Sequence, residues 1–598
     1  MRRAHLALAA AALAVPVHAV AAPPPVEPLL PPSPAVEQVA PGIGYQRIVD
    51  PGPQVIHVIK AQPSGLVSLS PILTGGATSR RGNLADALAA RSPSGGVVAV
   101  NGDFFNTSAS YPSGITVTAA DGLASEPEPT RSALVLGPDG VLAAARLTLT
   151  GRWQTTDTTG NPLGLLRTFS GINRPAERTS ETVLFTPAYG SATPSGTRRT
   201  EAVVTLDGGA QLVPNTSVAG TVTKVRTSGG TAIARGTVVV SGTGGNAGVV
   251  GKDLVAGARV RIDPGVAGFP ASALALGGGP LLVDAGAPVP AAGEGFSSSQ
   301  LTQRTARTAI GQTADGAYLL VAAEGPQQGS RGITVGEQAR LMARLGARLA
   351  VAMDAGGSAQ MVVDGSPAVR WSSPRSLTTS LVMRYDGVRV APMLARITPN
   401  GDGIDDRGAA RVTAPRPGRL VVALERRGGG DRRELLSQPV EAGPVVLPVD
   451  ATGLPLGDGA WDLTATLTPD GLPATTASRG FLVDRTLADL RVRPVRERAG
   501  RKVRPAVRIA FRLLRPAKVT VRVFDANGRL RRTLRASRTY RKGTALVVWD
   551  RRVSRKLAVG EHRIEVEART SFGRPGLATD VTLAPVRPPK KKKAGTGG

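Results

Sequence analysis

The stretch TVGEQARLMARLGARLAVAMDAGGSAQMVVDGSPAVRW, from Thr334 to Trp371, decides the reading of the fold. Thr334-Val335-Gly336-Glu337 has the form of a capping box, Leu341, Met342 and Leu345 supply an apolar stripe at helical spacing, and Gly346 stops the helix. Leu349 to Met353 then reads as a strand that runs straight into Asp354-Ala355-Gly356-Gly357-Ser358. A second strand, Ala359 to Val363, follows the glycine turn, and Asp364-Gly365 marks a hairpin returning through Ala368 to Trp371. One helix set among short strands and glycine turns predicts an α+β fold, β-rich with mixed sheets and few helices.

The pattern holds over a wide span. Residues 42–388 alternate short apolar runs with Gly-rich turns and form the expected principal domain; within it, 147–260 is rich in Thr, Val and Gly and reads as a β-rich part of the same domain. Past Val390 short strands recur at regular spacing, such as Leu420 to Leu424 and Val519 to Phe524, which predicts two small β-sandwich modules over 395–485 and 486–587. Asn527-Gly528 is a hairpin signal in the second, and Trp549 is its expected core anchor. In the first, Asn400-Gly401-Asp402-Gly403-Ile404-Asp405-Asp406 looks like a calcium loop but lacks the closing glutamate, so a self-capped Asx turn is the favoured reading. The ends differ in character. Residues 1–22, with Arg2-Arg3, an apolar run and Ala19-Val20-Ala21, have the layout of a secretory signal peptide; 23–41 is a Pro-rich linker and 588–598 a basic tail. The expected location is therefore secreted or in the cell envelope, and the sequence has no later apolar run long enough for a transmembrane helix.

Composition narrows the chemistry. The chain has no cysteine, which excludes thiol catalysis and cysteine metal sites, and of its four histidines only His57 and His562 lie beyond the leader. A multi-histidine zinc site within one domain is excluded, and a serine triad would rest on His57 alone. With 73 Lys and Arg against 44 Asp and Glu, the formal charge is 73 − 44 = +29, and much of the excess follows residue 485. That surface favours polyanions, an anionic cell-wall polymer among them, and equally suits a solvated face. Aromatic residues make up 3% of the chain, too few to supply a base-stacking surface, so nucleic acid is not expected as a partner.

Several apolar strands of the principal domain end in polar groups: Val97 to Val100 in Asn101-Gly102-Asp103-Phe104-Phe105, Ala273 to Leu276 in Gly277-Gly278-Gly279-Pro280, Tyr318 to Ala323 in Glu324, and Leu349 to Met353 in Asp354. Strand ends sharing one rim would bring these groups to one site. Glycine turns let backbone N–H groups approach an anion, and Arg304, Arg307 and Arg331 offer cations nearby, with Arg307 as suited to a structural ion pair as to a phosphate.

These residues carry a resemblance. Asn101 to Phe105, Gly278-Gly279-Pro280, Arg304 with Arg307-Thr308-Ala309-Ile310-Gly311, Ser330-Arg331-Gly332-Ile333-Thr334 with Glu337, and Asp354 to Ser358 resemble, in this order, the motifs of phosphodiester glycosidases. Ile172-Asn173-Arg174-Pro175 and Leu184 to Gly190 also resemble bacterial members. The resemblance implies a hydrolase acting on a sugar C1–phosphodiester bond, such as an N-acetylglucosamine 1-phosphodiester in an envelope glycan or exopolysaccharide. It implies Asp354 as base or nucleophile with Glu324 as the second carboxylate. Asn101, Asp103, Gly278, Gly279, Arg304, Arg307, Arg331, Gly356, Gly357 and Ser358 would bind substrate, with no cofactor required and no metal ligand assigned. Three positions depart from the family pattern: Ala355 and Asp103 stand where glycine is usual, and Glu324 where aspartate is. Ala355 and Glu324 motivate an alternative, a non-catalytic envelope protein that binds sugar-phosphate polymers. The C-terminal modules resemble the immunoglobulin-like domains of flagellar-hook capping proteins, which implies a spacing or attachment role.

Overall fold

A computed structural model describes residues 36–585, apart from 51, 63, 92–94, 291–292, 328, 371–373, 392, 402, 404, 451–455, 500–501, 554–555 and 572–573. The expected leader, most of the linker, the basic tail and Trp371 lie outside the described residues. The fold is strand-rich with four α-helices among the described residues: α1 Leu84–Ala89, α2 Gly245–Asp253, α3 Ser298–Thr302 and α4 Val335–Arg344. None is long and apolar enough to cross a membrane. The described chain divides into two compact units, one reaching to Gly387 with 414–417 and 441–443, the other comprising the rest from Val388 onward.

The first unit is built on two sheets that share a core. One runs in the order Glu37–Ala40, Ile43–Asp50, Gln54–Ala61, Tyr318–Ala323, Arg307–Thr313, Ala347–Ala352, Leu281–Asp284, Ala287–Pro288; the other in the order Ser366–Pro367, Met361–Val363, Gly96–Asn101, Thr379–Tyr385, Val67–Leu73. Ile59, Ile310, Leu320 and Val351 of the first pack with Val98, Val100, Leu381 and Met383 of the second, all essentially inaccessible to water. The strands' other faces are covered by helices: Ala339 and Met342 of α4 lie on Ala309, Val321 and Ala350, and Leu84 and Leu88 of α1 lie on Ala99 and Val382. Strands buried on both faces explain the unbroken apolar runs at 97–100, 318–323 and 349–353. Two further sheets, of five and eight strands, pack around Trp153, Leu184, Val204, Val240 and Ile262.

The 334–371 stretch folds as its pattern predicts, with short-range adjustments. Thr334 Oγ1 accepts from Glu337 N at 3.2 Å and Glu337 Oε2 accepts from Thr334 N at 3.0 Å, so both bonds of the capping box form. The strand is Ala347–Ala352, and the next is shortened to Met361–Val363 because a 3₁₀ turn occupies Gly356–Ser358. The hairpin closes with Val362 opposite Pro367 and Val363 opposite Ser366.

In the second unit, Leu487–Ala499, Lys502–Leu513 and Gly543–Trp549 form one sheet, and Leu530–Tyr540, Ala517–Asp525, Gly560–Arg569 and Gly576–Leu583 another. Phe511, Val521, Trp549 and Ile564 share the core between them. The preceding segment has a three-stranded and a five-stranded sheet, with Trp461 fully buried. In the loop at 400–406, Asp406 accepts backbone N–H bonds from Asn400 at 2.9 Å, Gly401 at 3.0 Å and Gly403 at 2.6 Å, a self-capped turn. Asp402 and Ile404 lie outside the described residues.

Candidate active site

The chain crosses from one sheet of the shared core to the other between Ala352 and Met361, and Asp354 sits in that crossing. It is held there by main-chain bonds: Asp354 N donates to Gly102 O at 3.1 Å, and Asn101 Nδ2 donates to Asp354 O at 2.8 Å. Asn101 Oδ1 accepts from Gln360 N at 3.0 Å. Asn101 is wholly buried and clamps both ends of the crossing.

The Asp354 carboxylate is nearly buried. Oδ1 accepts from Ala355 N at 2.8 Å, and the Ser358 hydroxyl bonds the same carboxylate. Ala355, in place of the usual glycine, has φ −110° and ψ −175°, an extended conformation that a Cβ allows. Burial pushes the Asp354 carboxyl above its ordinary range, opposed by Ser358, Ala355 N–H, Arg375 and Arg131. Neither arginine belongs to a sequence motif. Arg131 stands 3.8 Å from Asp103 Oδ1 and 5.0 Å above the centre of the Phe104 ring; Arg375 Nη1 lies 3.5 Å from Ser358 Oγ.

Asp103 is the second carboxylate of this cluster. Oδ1 accepts from Phe104 N at 2.8 Å, the Gly114 N–H also faces the carboxylate, and Gly277 packs against Oδ2. A Cβ at Gly277 would come within 2.3 Å of Oδ2, so glycine there makes the room the carboxylate occupies. Burial is the main cause, with the Asp354 charge adding to it, that pushes Asp103 up to about 6.

Beside Asp354 opens a cavity of about 330 Å³ lined by Phe104, Phe296, Leu301, Arg307, Met353 and Asp354, among others. Arg307 is buried there with carbonyl partners only: Nε donates to Ile333 O at 2.9 Å, and Nη2 to Gln300 O at 2.8 Å and Gln303 O at 3.0 Å. No carboxylate lies within ion-pair distance of it among the described residues, and burial pushes it down to about 10. A desolvated cation without a counter-ion, lining a cavity that also holds a carboxylate, suits an anionic ligand.

Other expected site residues lie elsewhere. Glu324 Oε1 is 3.0 Å from His57 Nε2, and Oε2 accepts from Gln327 Nε2 at 2.6 Å. Burial pushes His57 down; as a neutral ring it donates from Nε2 to the carboxylate and accepts at Nδ1 from the Tyr45 hydroxyl, 2.8 Å away. Glu324 is thus held in a buried network with His57 and Gln327, away from the cavity beside Asp354. Arg304 makes a two-pronged pair with Glu337 at 2.8 and 2.6 Å, and Arg331 reaches the same carboxylate at 3.5 Å, so both cations serve the start of α4. Gly278 lets its turn approach the neighbouring strand, since a Cβ would meet Ala352 O at 2.7 Å. The Gly279 and Gly356 N–H groups bond Ala352 O and Ala306 O, both at 2.9 Å. Gly357 O accepts from Arg375 N at 3.0 Å, which ties the glycine loop to that arginine. Among the described residues no cluster of three or more acidic or histidine side chains is arranged to hold a metal ion.

Residues 201–384 match the model of the family described as phosphodiester glycosidase. The chain carries a phosphodiester glycosidase domain. The match includes Arg307, Glu324 and the Asp354 loop and begins after Asn101 and Asp103. Among solved structures, a hypothetical protein from Synechocystis is similar at 23% identity, covering 59% of this chain and 64% of that one, with TM-score 0.47. A Burkholderia pseudomallei protein is 24% identical, covering 55% of this chain and 74% of that one, with TM-score 0.44. The zebrafish N-acetylglucosamine-1-phosphodiester alpha-N-acetylglucosaminidase catalytic domain is 15% identical, covering 60% of this chain and 86% of that one, with TM-score 0.28. The chain thus spans slightly less than two thirds of the length of the Synechocystis protein. No curated protein matches it in sequence.

Proposed function

We propose that the protein is an exported hydrolase that cleaves the bond between a sugar C1 and a phosphodiester oxygen in an envelope glycan, with N-acetylglucosamine 1-phosphodiesters as the leading substrate class. One observation carries the reading: Asp354, inside the matched domain, shares a cavity with Arg307, a buried guanidinium that lacks a carboxylate partner among the described residues. In this reading the phosphate lies against Arg307 and C1 faces Asp354. Either Asp354 takes the proton of a water that attacks C1, or its carboxylate attacks C1 and water then releases the sugar. In both cases the C1–O bond breaks with its electrons passing to the phosphate, giving a free sugar and a phosphomonoester. The leaving group is a weakly basic anion, so charge stabilisation matters more than a strong general acid, and Arg307 supplies it in a desolvated setting. Phe104 and Phe296, with ring centres 5.5 Å apart, offer an apolar wall for the sugar face.

The layout of residues 1–22 supports export, and the basic character of the C-terminal modules supports attachment to an anionic wall polymer. The deciding experiment is Asp354→Asn in the full chain, assayed for release of N-acetylglucosamine from its 1-phosphodiesters. We expect a loss of at least about a hundredfold in kcat. A folded variant turning over near the wild-type rate would remove Asp354 from the chemistry, and saturable binding by the wild type without product would favour the non-catalytic alternative.

A further inference from the structure

We infer that Phe296 is the specificity-determining residue for the sugar half of the substrate and that Glu294 is its positioning residue. Glu294 staples the segment 293–303 along the cavity beside Asp354, so that the Phe296 ring receives the apolar face of a pyranose. The inference deepens the hydrolase reading and rests on it for the identity of the ligand.

The staple is made of short bonds. Glu294 is only 4% exposed. Its Oε1 accepts from the Ser132 hydroxyl at 2.9 Å and from Leu281 N at 2.9 Å, and its Oε2 accepts from Ser132 N at 2.8 Å. Ser132 precedes the strand Ala133–Leu136 and Leu281 opens the strand Leu281–Asp284, so the carboxylate ties the segment to two separate elements. A carboxylate buried this far is tolerated where donors converge on it, as they do here. The chain then turns through Gly295, at φ 72°, and presents Phe296. That ring lies against the Gly279 turn: a Cβ on Gly279 would fall 3.2 Å from the ring and 3.0 Å from Glu294 Oε2.

The same segment is held at its other end. Ser297 and Gln300 close a capping box at the start of α3, and Gln300 O and Gln303 O accept from Arg307 Nη2 at 2.8 and 3.0 Å. Phe296, Gln300, Leu301 and Gln303 all line the cavity. The guanidinium assigned to the phosphate therefore also anchors the segment that carries the aromatic ring. Phe104 completes the wall, its ring centre 5.5 Å from that of Phe296 with the planes at 48°. Arg131, the neighbour of Ser132, lies over Phe104 at 5.0 Å from the ring centre, so one dipeptide supports both rings. Both rings are only partly buried, which leaves surface for a ligand. An aromatic pair in one cavity with a carboxylate and a cation provides the apolar and charged surfaces that a sugar phosphate presents in return.

The test compares two probes by ³¹P NMR titration of the full chain: N-acetylglucosamine 1-phosphate, which carries the sugar, and methyl phosphate, which lacks it. The wild type should bind the first more tightly. Phe296→Leu removes the ring and keeps an apolar side chain; it should weaken N-acetylglucosamine 1-phosphate about tenfold and leave methyl phosphate within about twofold. Phe296→Tyr, which keeps the ring, should retain the sugar preference. Glu294→Ala should reproduce the pattern of Phe296→Leu, and Glu294→Gln, which keeps one acceptor oxygen, should fall between it and the wild type. A general structural loss lowers both affinities together, so the ratio of the two separates positioning from stability. Equal weakening of both probes, unchanged binding of both, or a wild type without preference for the sugar phosphate overturns the inference. Should Glu294→Ala not fold, Glu294→Gln and Phe296→Leu carry the test. Turnover plays no part in these titrations. If Asp354→Asn stays active on the diester while the sugar preference follows Phe296, the catalytic reading fails and the sugar wall stands. If Asp354→Asn is inactive and the preference ignores Phe296, the inference alone fails.

Discussion

Replacing Asp103 by Asn should stabilise the protein at neutral and alkaline pH and do nothing for it in acid. The Asp103 carboxyl is pushed from an ordinary value of 3.8 up to about 6 in the folded chain. A group whose folded value is raised holds its proton more tightly when folded, so its contribution is favourable in acid and is lost as pH rises through the folded value. Above that value the fold carries a buried charge. A difference of about two pH units corresponds to roughly 3 kcal/mol. Asparagine keeps an oxygen for the Phe104 N–H bond of 2.8 Å and bears no charge at any pH. The Asn variant should therefore exceed the wild type by up to roughly 3 kcal/mol at about pH 8, with the gain shrinking toward zero near about pH 4. Calorimetric unfolding of both proteins across that range, following the transition of the first compact unit, reads the difference directly. A variant that is destabilised equally at every pH would refute the reasoning, because Asp103 would then be a satisfied structural carboxylate.

The other expectations concern the surrounding contacts. Gly277→Ala should be strongly destabilising, because the new Cβ would lie 2.3 Å from Asp103 Oδ2, and Asp103→Gly should restore much of the loss; additive melting shifts in the double variant would contradict the contact. Arg304→Ala should cost no more than about 1 kcal/mol and leave KM unchanged, since its guanidinium is half-exposed and committed to Glu337; a large rise in KM would put it back in the substrate site. His57 is held neutral by burial, so the unfolded chain takes up a proton the folded one refuses, and stability should fall as pH drops below about 6.5. That loss is best measured in the Asp103→Asn background, where the opposing acid is silent, and it should shrink in His57→Gln.

The capping box at Thr334 and Glu337, the stop at Gly346 and the Asp364-Gly365 hairpin were legible because each is closed by bonds between residues a few positions apart. The apolar runs at 97–100, 318–323 and 349–353 were legible as strands because burial on both faces leaves no polar alternation. The surroundings of Glu324 were not legible, for the converse reason. It follows an apolar strand just as Asp354 does, yet its partner is His57, 267 positions away, and only the pairing of Tyr318–Ala323 with Gln54–Ala61 brings the two together. Arg131 and Arg375 left no signal, since a lone arginine in a loop carries no periodicity and no turn chemistry.

Legible from the chain alone were the strand-rich character of the fold, its few helices and the likeness of 201–384 to phosphodiester glycosidases, because periodicity, capping and glycine turns are local and the motifs recur in order. It also marked Asp354 as the centre of interest. Tertiary structure alone decided which charges meet that residue. Asn101 became a clamp, Arg304 and Arg331 went to Glu337, Glu324 went to His57, and Asp103 and Arg131 came to Asp354. Electrostatic partnership depends on distances of a few ångströms between segments far apart in the chain, and those distances exist only once the two sheets have packed and the crossing between them is tied down.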